Sequence, residues 1–401
     1  MPFALYILGL AVFAQGTSEF MLSGLIPDIA RDLGVSLSAA GALTSAFAAG
    51  MVVGAPLTAI AGMRLPRRRA LLAFLVVFVL VHVAGAVTTS FAVLLLTRVL
   101  AALANAGFLA VGLAAAVAMV PPGAKGRATS VLLGGVTLAC VAGVPGGAVL
   151  GQALGWRAAF WAVALVSLPA LYAIFRSIPD TAPAAPGGEG LPGVREELRA
   201  LRDTRLLVVL LLAALVNAAT FCTFTYLAPL VTGVSGLPGG QVPVVLALFG
   251  IGSFAGVSIA GRLSDTRPAR VLVAGGIALL AGWALLAATA GSPVAAVLLV
   301  LAQGTLSFAV GSTLIAQALY AASAAPSLGG SFATAALNVG ATAGPALGGL
   351  ALAADLGHRS PPWVSALLVA TALAVALLTR PARRLLHAPG GTPAGETPAG
   401  P

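Results

Sequence analysis

Twelve long apolar stretches, almost free of charged residues, dominate this sequence. Of its 401 residues, 59% are hydrophobic and only 8% are charged, and the mean hydropathy is +1.05. A helical crossing of the bilayer core needs roughly 20 apolar residues, and backbone polar groups there must be paired within the protein, which favours helices. The sequence therefore predicts an all-α integral membrane protein and excludes a water-soluble fold.

The apolar stretches predict twelve transmembrane helices in two six-helix halves. We expect an N-terminal half at residues 1–178, a cytoplasmic linker with a short amphipathic helix at 179–205, a C-terminal half at 206–380 and a disordered cytoplasmic tail at 381–401. The predicted spans are residues 4–27, 40–62, 70–88, 92–119, 129–152, 157–178, 206–231, 242–264, 270–290, 293–319, 328–353 and 361–380.

The basic residues lie mostly in alternate loops. The net charge is +10, but these residues are dispersed in short loops, so we expect no nucleic-acid partner. With both termini cytoplasmic, 17 Lys and Arg residues face inward and only Arg31, Arg157 and Arg359 face outward. The positive-inside rule therefore predicts a multi-pass protein of the bacterial inner membrane with both termini inside.

The two halves repeat one another at a constant offset of 202 residues. Matches continue along six spans, which indicates a parallel duplication with a binding site between the halves near the midplane. The matched pairs include Pro27 with Pro229, Gly50 with Gly252, Gly54 with Gly256, Gly155 with Gly357, Arg157 with Arg359 and Trp161 with Trp363.

One acid, Glu19, and one cation, Arg98, lie inside the apolar stretches away from their ends. Each costs a few kcal/mol to hold in hydrocarbon. Helical rise places both about 9–12 Å below the outer ends of spans 1 and 4, so they can pair if those spans are neighbours. A carboxyl group whose exposure changes can load and release a proton. The alternative is a static pair that joins two helices.

Uncharged polar groups lie deeper in the predicted spans. Four amides near the midplane suit a polar, neutral ligand, and residues 217–224 place an amide and aromatic rings on one helical face. The alternative is hydrogen bonding between helices. His82 has no evident partner in the sequence and is interpreted as structural, and Cys140 and Cys222 as small packing residues. The candidate substrate-binding residues are Gln15, Asn105, Phe108, Asn217, Thr220, Phe221, Phe224 and Gln303.

Several motifs resemble the twelve-span drug/proton antiporters of the major facilitator superfamily over essentially the whole chain. They are the basic loop Arg64-Leu-Pro-Arg-Arg-Arg69, its copy Gly261-Arg-Leu-Ser-Asp265 with Arg270, Leu96-Thr-Arg98, Gly143-Val-Pro-Gly-Gly147, and the segment from Gly340 to Gly349. The resemblance implies proton coupling through Glu19 and Arg98. The gating residues that it implies are Arg64, Arg68, Asp265, Arg270, Pro145, Gly146 and Gly147.

Residues 13–30, with the Gly155-Trp-Arg157 corner, are similar to the chloramphenicol exporters of actinomycetes. The resemblance implies export of a small neutral amphiphilic drug, most closely chloramphenicol, by alternating access driven by the proton gradient. The alternative is a transporter of the same fold for sugars or other metabolites, working as exporter or proton symporter. We expect a monomer in a lipid bilayer, no enzymatic activity, no cofactor and no metal.

Overall fold

A computed structural model describes residues 3–62, 66–121, 125–178, 198–263, 267–322 and 329–379. Twelve helical segments in this part of the chain are long and apolar enough to cross a membrane. We number them spans 1 to 12. Their bounds are Phe3–Gly24, Leu37–Gly62, Arg67–Val87, Phe91–Ala118, 125–154, Trp156–Ser177, Thr204–Thr225, Gly239–Leu263, Pro268–Thr289, Pro293–Ala321, Gly329–Ala353 and Ser360–Leu378.

The all-α fold predicted from hydropathy is confirmed, and most predicted span ends lie within a few residues of the observed ones. Spans 1 and 7 end earlier than expected, because the chain bends there into the short helices Ile26–Leu33 and Leu227–Gly233. Most of the predicted linker and the whole predicted tail lie outside the described residues. The described end of the linker is a 3₁₀ turn, Arg199–Arg202, which leads into span 7.

Local sequence explains where several spans begin. Proline occupies the first turn of spans 9, 10 and 12, where its missing N–H has no helical partner in any case. The Asp203 side chain accepts a hydrogen bond from the Arg205 N–H and caps span 7. In span 5, Pro145 lacks a backbone donor, and the helix contains a π turn, Ala139–Gly143, just before it.

The duplication found in the sequence recurs in the backbone. Gly34 and Gly236, 202 residues apart, both adopt positive φ (65° and 69°). Gly50 of span 2 approaches the Val99 carbonyl of span 4, and Gly252 of span 8 approaches the Leu301 carbonyl of span 10. Val99 and Leu301 are themselves 202 residues apart. Equivalent helices are therefore packed through equivalent residues in both halves.

Two apolar cores lie side by side, one built from spans 1–6 and the other mainly from spans 7–12. Span 2 packs on span 11 and span 5 packs on span 8, which joins the halves. We call the end where span 1 is followed by span 2 the Arg-poor end, since Arg31, Arg157 and Arg359 lie there. The opposite, Arg-rich end carries Arg67, Arg68, Arg69, Arg176, Arg199, Arg202, Arg205, Arg262, Arg267 and Arg270 among the described residues.

Candidate functional site

Glu19 lies in the last turn of the helix Phe3–Phe20, where the two halves meet. The ring of the next residue, Phe20, is 5.8 Å from that of Phe221 in span 7. Cys140 of span 5 lies near Glu19, and its carbonyl group closely approaches Gly250 of span 8. Glu19 itself is half-buried. The acid is therefore placed at a contact between the halves with part of its surface accessible.

Arg98 lies on span 4, which contacts span 1, and is only 1% exposed. Its Nη1 donates to the Ser18 hydroxyl at 2.8 Å and its Nη2 to the Ser18 carbonyl at 2.7 Å. The guanidinium carbon is 4.5 Å from the centre of the Phe47 ring, a favourable cation–π distance. These contacts hold the cation beside span 1 in a buried, largely apolar environment.

The expected direct pair between Glu19 and Arg98 is not formed in this conformation. Their charges interact, but among the described residues no ion pair within 4 Å joins them, because both Arg98 nitrogens that face span 1 bind Ser18. Ser18 and Glu19 are adjacent on span 1, about 100° apart around the helix axis. Spans 1 and 4 are therefore in contact, as pairing would require, but the two charged groups themselves do not meet.

His82 of span 3 completes this cluster, and the structure supplies the partners that were not evident in the sequence. Its Nε2 is 2.6 Å from the Ser18 hydroxyl and its Nδ1 is 2.7 Å from the Phe78 carbonyl. Its ring lies 4.1 Å from that of Phe78 and 5.8 Å from that of Phe160. The sequence did hold a signal, because a buried imidazole is costly unless its nitrogens are hydrogen-bonded.

The second half carries no copy of this polar cluster. At the offset of 202 residues, Ser18, Glu19, His82 and Arg98 correspond to residues that are neutral, three of them apolar. The corresponding residues are Thr220, Phe221, Ala284 and Val300. The charged cluster therefore belongs to one half of a duplicated scaffold, and an aromatic ring takes the place of the acid in the other half.

Aromatic side chains gather in the second half, beginning at Phe221, whose ring contacts that of Phe20. Phe221 lies edge-on to Phe224 at 6.2 Å, and Phe224 stacks on Phe249 at 4.5 Å. Phe249 contacts Phe308 at 6.3 Å. The half-buried Asn217 donates from Nδ2 to the Leu337 carbonyl at 2.7 Å. The four rings thus form one connected series of contacts that begins one turn after Asn217 on span 7, and the set of candidates from the sequence lacked Phe249 and Phe308.

Other candidates for substrate binding are buried in this conformation. Gln15, Asn105, Phe108 and Gln303 are each 1% exposed or less, and Thr220 is 4% exposed and bonds the carbonyl of Val216 in its own helix. The Nε2 of Gln303 donates to the Leu279 carbonyl of span 9 at 3.0 Å, a bond between helices. The contact of these side chains with a substrate stays a prediction.

Gln15 and Asn105 keep buried polar atoms without a hydrogen-bond partner in the described part of the chain. Both side-chain atoms of Gln15 and the Oδ1 of Asn105 are in this state. Unpaired amide atoms in an interior cost free energy, so the first half contains polar groups that packing alone does not explain.

The predicted gating residues are only partly described. Arg64 and Asp265 lie outside the described residues. The Arg68 guanidinium lies 5.3 Å from the centre of the Phe175 ring, and Arg270 is exposed. Pro145, Gly146 and Gly147 form the first turn of the helix that follows the π turn in span 5. Their role in gating stays a prediction.

The two halves are joined at the Arg-poor end. At this end Gln152 Nε2 donates to the Gly239 carbonyl at 2.7 Å, and about two turns deeper the Ser45 hydroxyl of span 2 donates to the Thr342 carbonyl of span 11 at 2.8 Å. The Tyr226 ring packs closely against Gly41 of span 2. These contacts close this end of the molecule in the present conformation.

A charged corner stabilises the Arg-poor end of the first half. Asp32 accepts hydrogen bonds from Arg157 and from the Trp156 indole, the latter at 3.0 Å. Arg157 also donates to the Thr88 carbonyl at 3.0 Å. The hydrogen bond from Arg157, and to a smaller extent that from Trp156, lowers the pKa of Asp32 below its ordinary value. The corner therefore ties the short helix Ile26–Leu33 to span 6 and to the end of span 3.

Several known proteins are similar to this chain in sequence. Residues 8–334 match the model of the Major Facilitator Superfamily. The chain is 57% identical over 376 residues to the chloramphenicol resistance protein of Streptomyces lividans, covering 94% of this chain and 96% of that one. It is 32% identical over 377 residues to the inner membrane transport protein YdhP of Escherichia coli (strain K12), covering 94% and 96%.

A solved structure supports the same fold. A bacterial homologue of the human lysosomal transporter Spinster, in its inward-facing and unoccupied conformation, aligns with a TM-score of 0.78 and 17% identity over 98% of both chains. At this identity the likeness concerns the fold alone. Together with the family match and the two close relatives, the twelve spans show that this chain belongs to the major facilitator superfamily.

Proposed function

We propose that this protein is a proton-coupled exporter of a small neutral amphiphilic drug, with chloramphenicol as the first substrate to test. The observation that carries the proposal is the placement of Glu19, a half-buried acid within a membrane span at the contact between the halves, with the Arg98 cation nearby. The name of the Streptomyces lividans relative supports the choice of chloramphenicol. The proton gradient across a bacterial plasma membrane would supply the energy.

Alternation between two conformations couples the proton to the drug in this proposal. The Arg-poor end, which the positive-inside rule assigns to the outside, is closed here by Gln152, Ser45 and Tyr226. Drug enters from the Arg-rich side, the halves rock, and the Arg-poor end separates. Glu19 then takes up a proton from outside as the drug leaves, and releases it inward after the return.

The aromatic cluster beside Glu19 suits the proposed substrate. Phe221 is half-buried and lies at the contact between the halves, and Asn217 offers an amide one turn away on the same span. Aromatic faces bind a flat apolar ring, while an amide pairs with a hydroxyl or carbonyl group of a neutral molecule. No charged ligand is required to satisfy these groups.

An accumulation assay with labelled chloramphenicol tests the function. Cells that express the protein should hold several-fold less drug than cells with an empty vector, and a protonophore should abolish the difference. Glu19→Gln should abolish extrusion because it cannot exchange a proton, while the purified variant still binds drug. Full extrusion by Glu19→Gln would refute the role of Glu19, and higher accumulation than the empty vector would indicate a proton symporter instead.

A further inference from the structure

The hydrogen bonds around Ser18 run in one direction. The Nδ1 of His82 faces the Phe78 carbonyl, which only accepts, so Nδ1 carries the proton. In a neutral imidazole Nε2 is then an acceptor, and the Ser18 hydroxyl donates to it. The hydroxyl oxygen therefore remains free to accept from Arg98 Nη1. The bond to His82 therefore orients the Ser18 hydroxyl, and the oxygen of that hydroxyl accepts the hydrogen bond from Arg98.

Each of the three hydrogen-bonded residues, Ser18, His82 and Arg98, is held firmly by the side chains packed around it. Ser18 is fully buried and His82 is 1% exposed. The imidazole lies among the rings of Phe78 and Phe160, and the Arg98 guanidinium lies over Phe47. The second nitrogen of Arg98 binds the Ser18 backbone carbonyl. Arg98 is thus anchored on the side of span 1 that carries Ser18.

The fold itself does not require this cluster. The equivalent positions of the second half hold Thr220, Ala284 and Val300, and the Thr220 hydroxyl donates to the Val216 carbonyl of its own helix. Spans 7, 9 and 10 nevertheless occupy the equivalent places in that half. Because burying a cation is costly, its presence in one half alone points to a role in transport.

We propose that Ser18 and His82 are positioning residues that hold Arg98 off the Glu19 carboxyl in this conformation, so that Glu19 stays free to exchange its proton. The inference rests on the proposed proton-coupled export. If the anchor is lost, attraction between the two charges draws the Arg98 guanidinium onto the carboxylate, since such attraction is strong in a medium of low dielectric constant. A paired Glu19 gives up its proton too readily to be reloaded at ordinary pH.

Few other titratable groups face Glu19 among the described residues. Span 4 contributes Arg98, span 5 contributes the Cys140 thiol, and span 3 contributes His82 behind Ser18. The contact from the other half is the uncharged Phe221, next to Phe20. A shift in the pH dependence of transport on changing His82 therefore reports on the pair of Glu19 and Arg98.

The test compares two substitutions of His82 in proteoliposomes. His82→Leu removes the acceptor for the Ser18 hydroxyl, whereas the side-chain oxygen of His82→Gln can still accept that bond. His82→Leu should move half-maximal proton-coupled drug exchange by about one pH unit or more toward acid. His82→Gln should keep the wild-type pH profile. Drug affinity, measured by equilibrium binding, should be unchanged in both, because His82 lies behind span 1.

Ser18→Ala provides a second route to the same result, since it removes the hydroxyl and leaves only the backbone carbonyl for Arg98. It decides the matter if His82→Leu fails to fold and bind drug, and it should shift the profile in the same direction. A wild-type profile in the folded His82→Leu or Ser18→Ala variant overturns the inference. An equal acid shift in His82→Gln also overturns it, because the ring itself would then be required.

The wild-type protein separates this inference from the proposed function. If wild-type exchange does not depend on the proton gradient, the proposed function fails whatever His82 does. If wild-type exchange is proton-coupled and the folded variants match its profile, only the positioning role of Ser18 and His82 fails.

Discussion

Arg98 and Arg157 show two ways of holding a guanidinium group in this protein. Arg98 is buried and binds neutral partners, the Ser18 hydroxyl and carbonyl and the Phe47 ring. Arg157 is about one-third exposed and binds the carboxylate of Asp32. The exposed pair is neutralised, whereas Arg98 makes no direct ion pair in the part of the chain that the structure describes. The buried guanidinium is thus held by neutral groups, which leave its charge uncompensated by a direct ion pair.

Asp32→Asn should destabilise the protein modestly at neutral pH. The Asp32 carboxylate is partly exposed, so solvent screens the pair, and the loss should be about 1 kcal/mol. Because Arg157 and Trp156 lower the pKa of Asp32 below 3.8, the contribution is fully present above about pH 5 and disappears as the pH falls through the folded-state value. Thermal unfolding in detergent at several pH values measures this difference.

Asp28→Asn is the matched control for that experiment. Asp28 lies one turn earlier in the same short helix and pairs at 3.0 Å with Arg31, whose side chain is 77% exposed. A pair so exposed contributes a few tenths of a kcal/mol at most. Equal destabilisation by the two substitutions would show that the hydrogen bonds of Asp32 with Trp156 and Arg157 contribute no more to stability than the exposed pair of Asp28 with Arg31.

The sequence predicted the charged residues of the site but not their partners. Glu19 and Arg98 were identifiable because a charge in an apolar span is costly wherever it lies. Ser18 was not, because its role depends on how spans 1, 3 and 4 are rotated about their axes. The partners of His82 were not evident for the same reason. The rotation is set by packing across three helices, which periodicity within one helix does not determine.

Helix contacts in both halves depend on glycines at specific turns. In span 10, a Cβ added to Gly304 would lie 2.5 Å from the Phe249 carbonyl oxygen of span 8. Gly304→Ala should therefore push spans 8 and 10 apart and destabilise the protein by about 1–3 kcal/mol. Gly311→Ala, two turns further along, meets open space among the described residues and should stabilise the helix by about 0.5–1 kcal/mol.

Thermal unfolding of the two purified variants in the same detergent measures the contrast. Both changes add one methyl group to one helix, so differences in helix propensity cancel. A melting temperature for Gly304→Ala equal to that of Gly311→Ala would show that spans 8 and 10 are not packed through Gly304. Hydropathy predicted both spans, but only the contact with Phe249 distinguishes the two glycines.

At the level of the whole molecule, a symmetric scaffold carries two different interiors. The halves share turn glycines and packing glycines at one offset, so they can rock against each other as similar bodies. Their functional side chains differ, with an acid and a cation in the first half and aromatic rings in the second. Glu19 occupies the position equivalent to Phe221 and directly precedes Phe20, whose ring makes, with that of Phe221, the one ring contact between the halves among the described residues. The proposed proton site and the aromatic cluster therefore flank the same contact between the halves, and we expect a movement of one half relative to the other to change both at once.

Linking the halves at the Arg-poor end should stop transport. Gln152 and Gly239 are exposed and bonded across the halves at this end. With Cys140 and Cys222 replaced by Ala, and drug efflux shown to persist, the pair Gln152→Cys and Gly239→Cys can be joined by a short bis-maleimide that does not cross membranes. Reagent added outside intact cells should abolish efflux, because the drug can leave only when this end separates. Each single-cysteine variant should keep exporting after the same treatment. Continued export by the cross-linked double variant would mean that the Arg-poor end need not open, and failure of the reagent to react from outside would place that end in the cytoplasm.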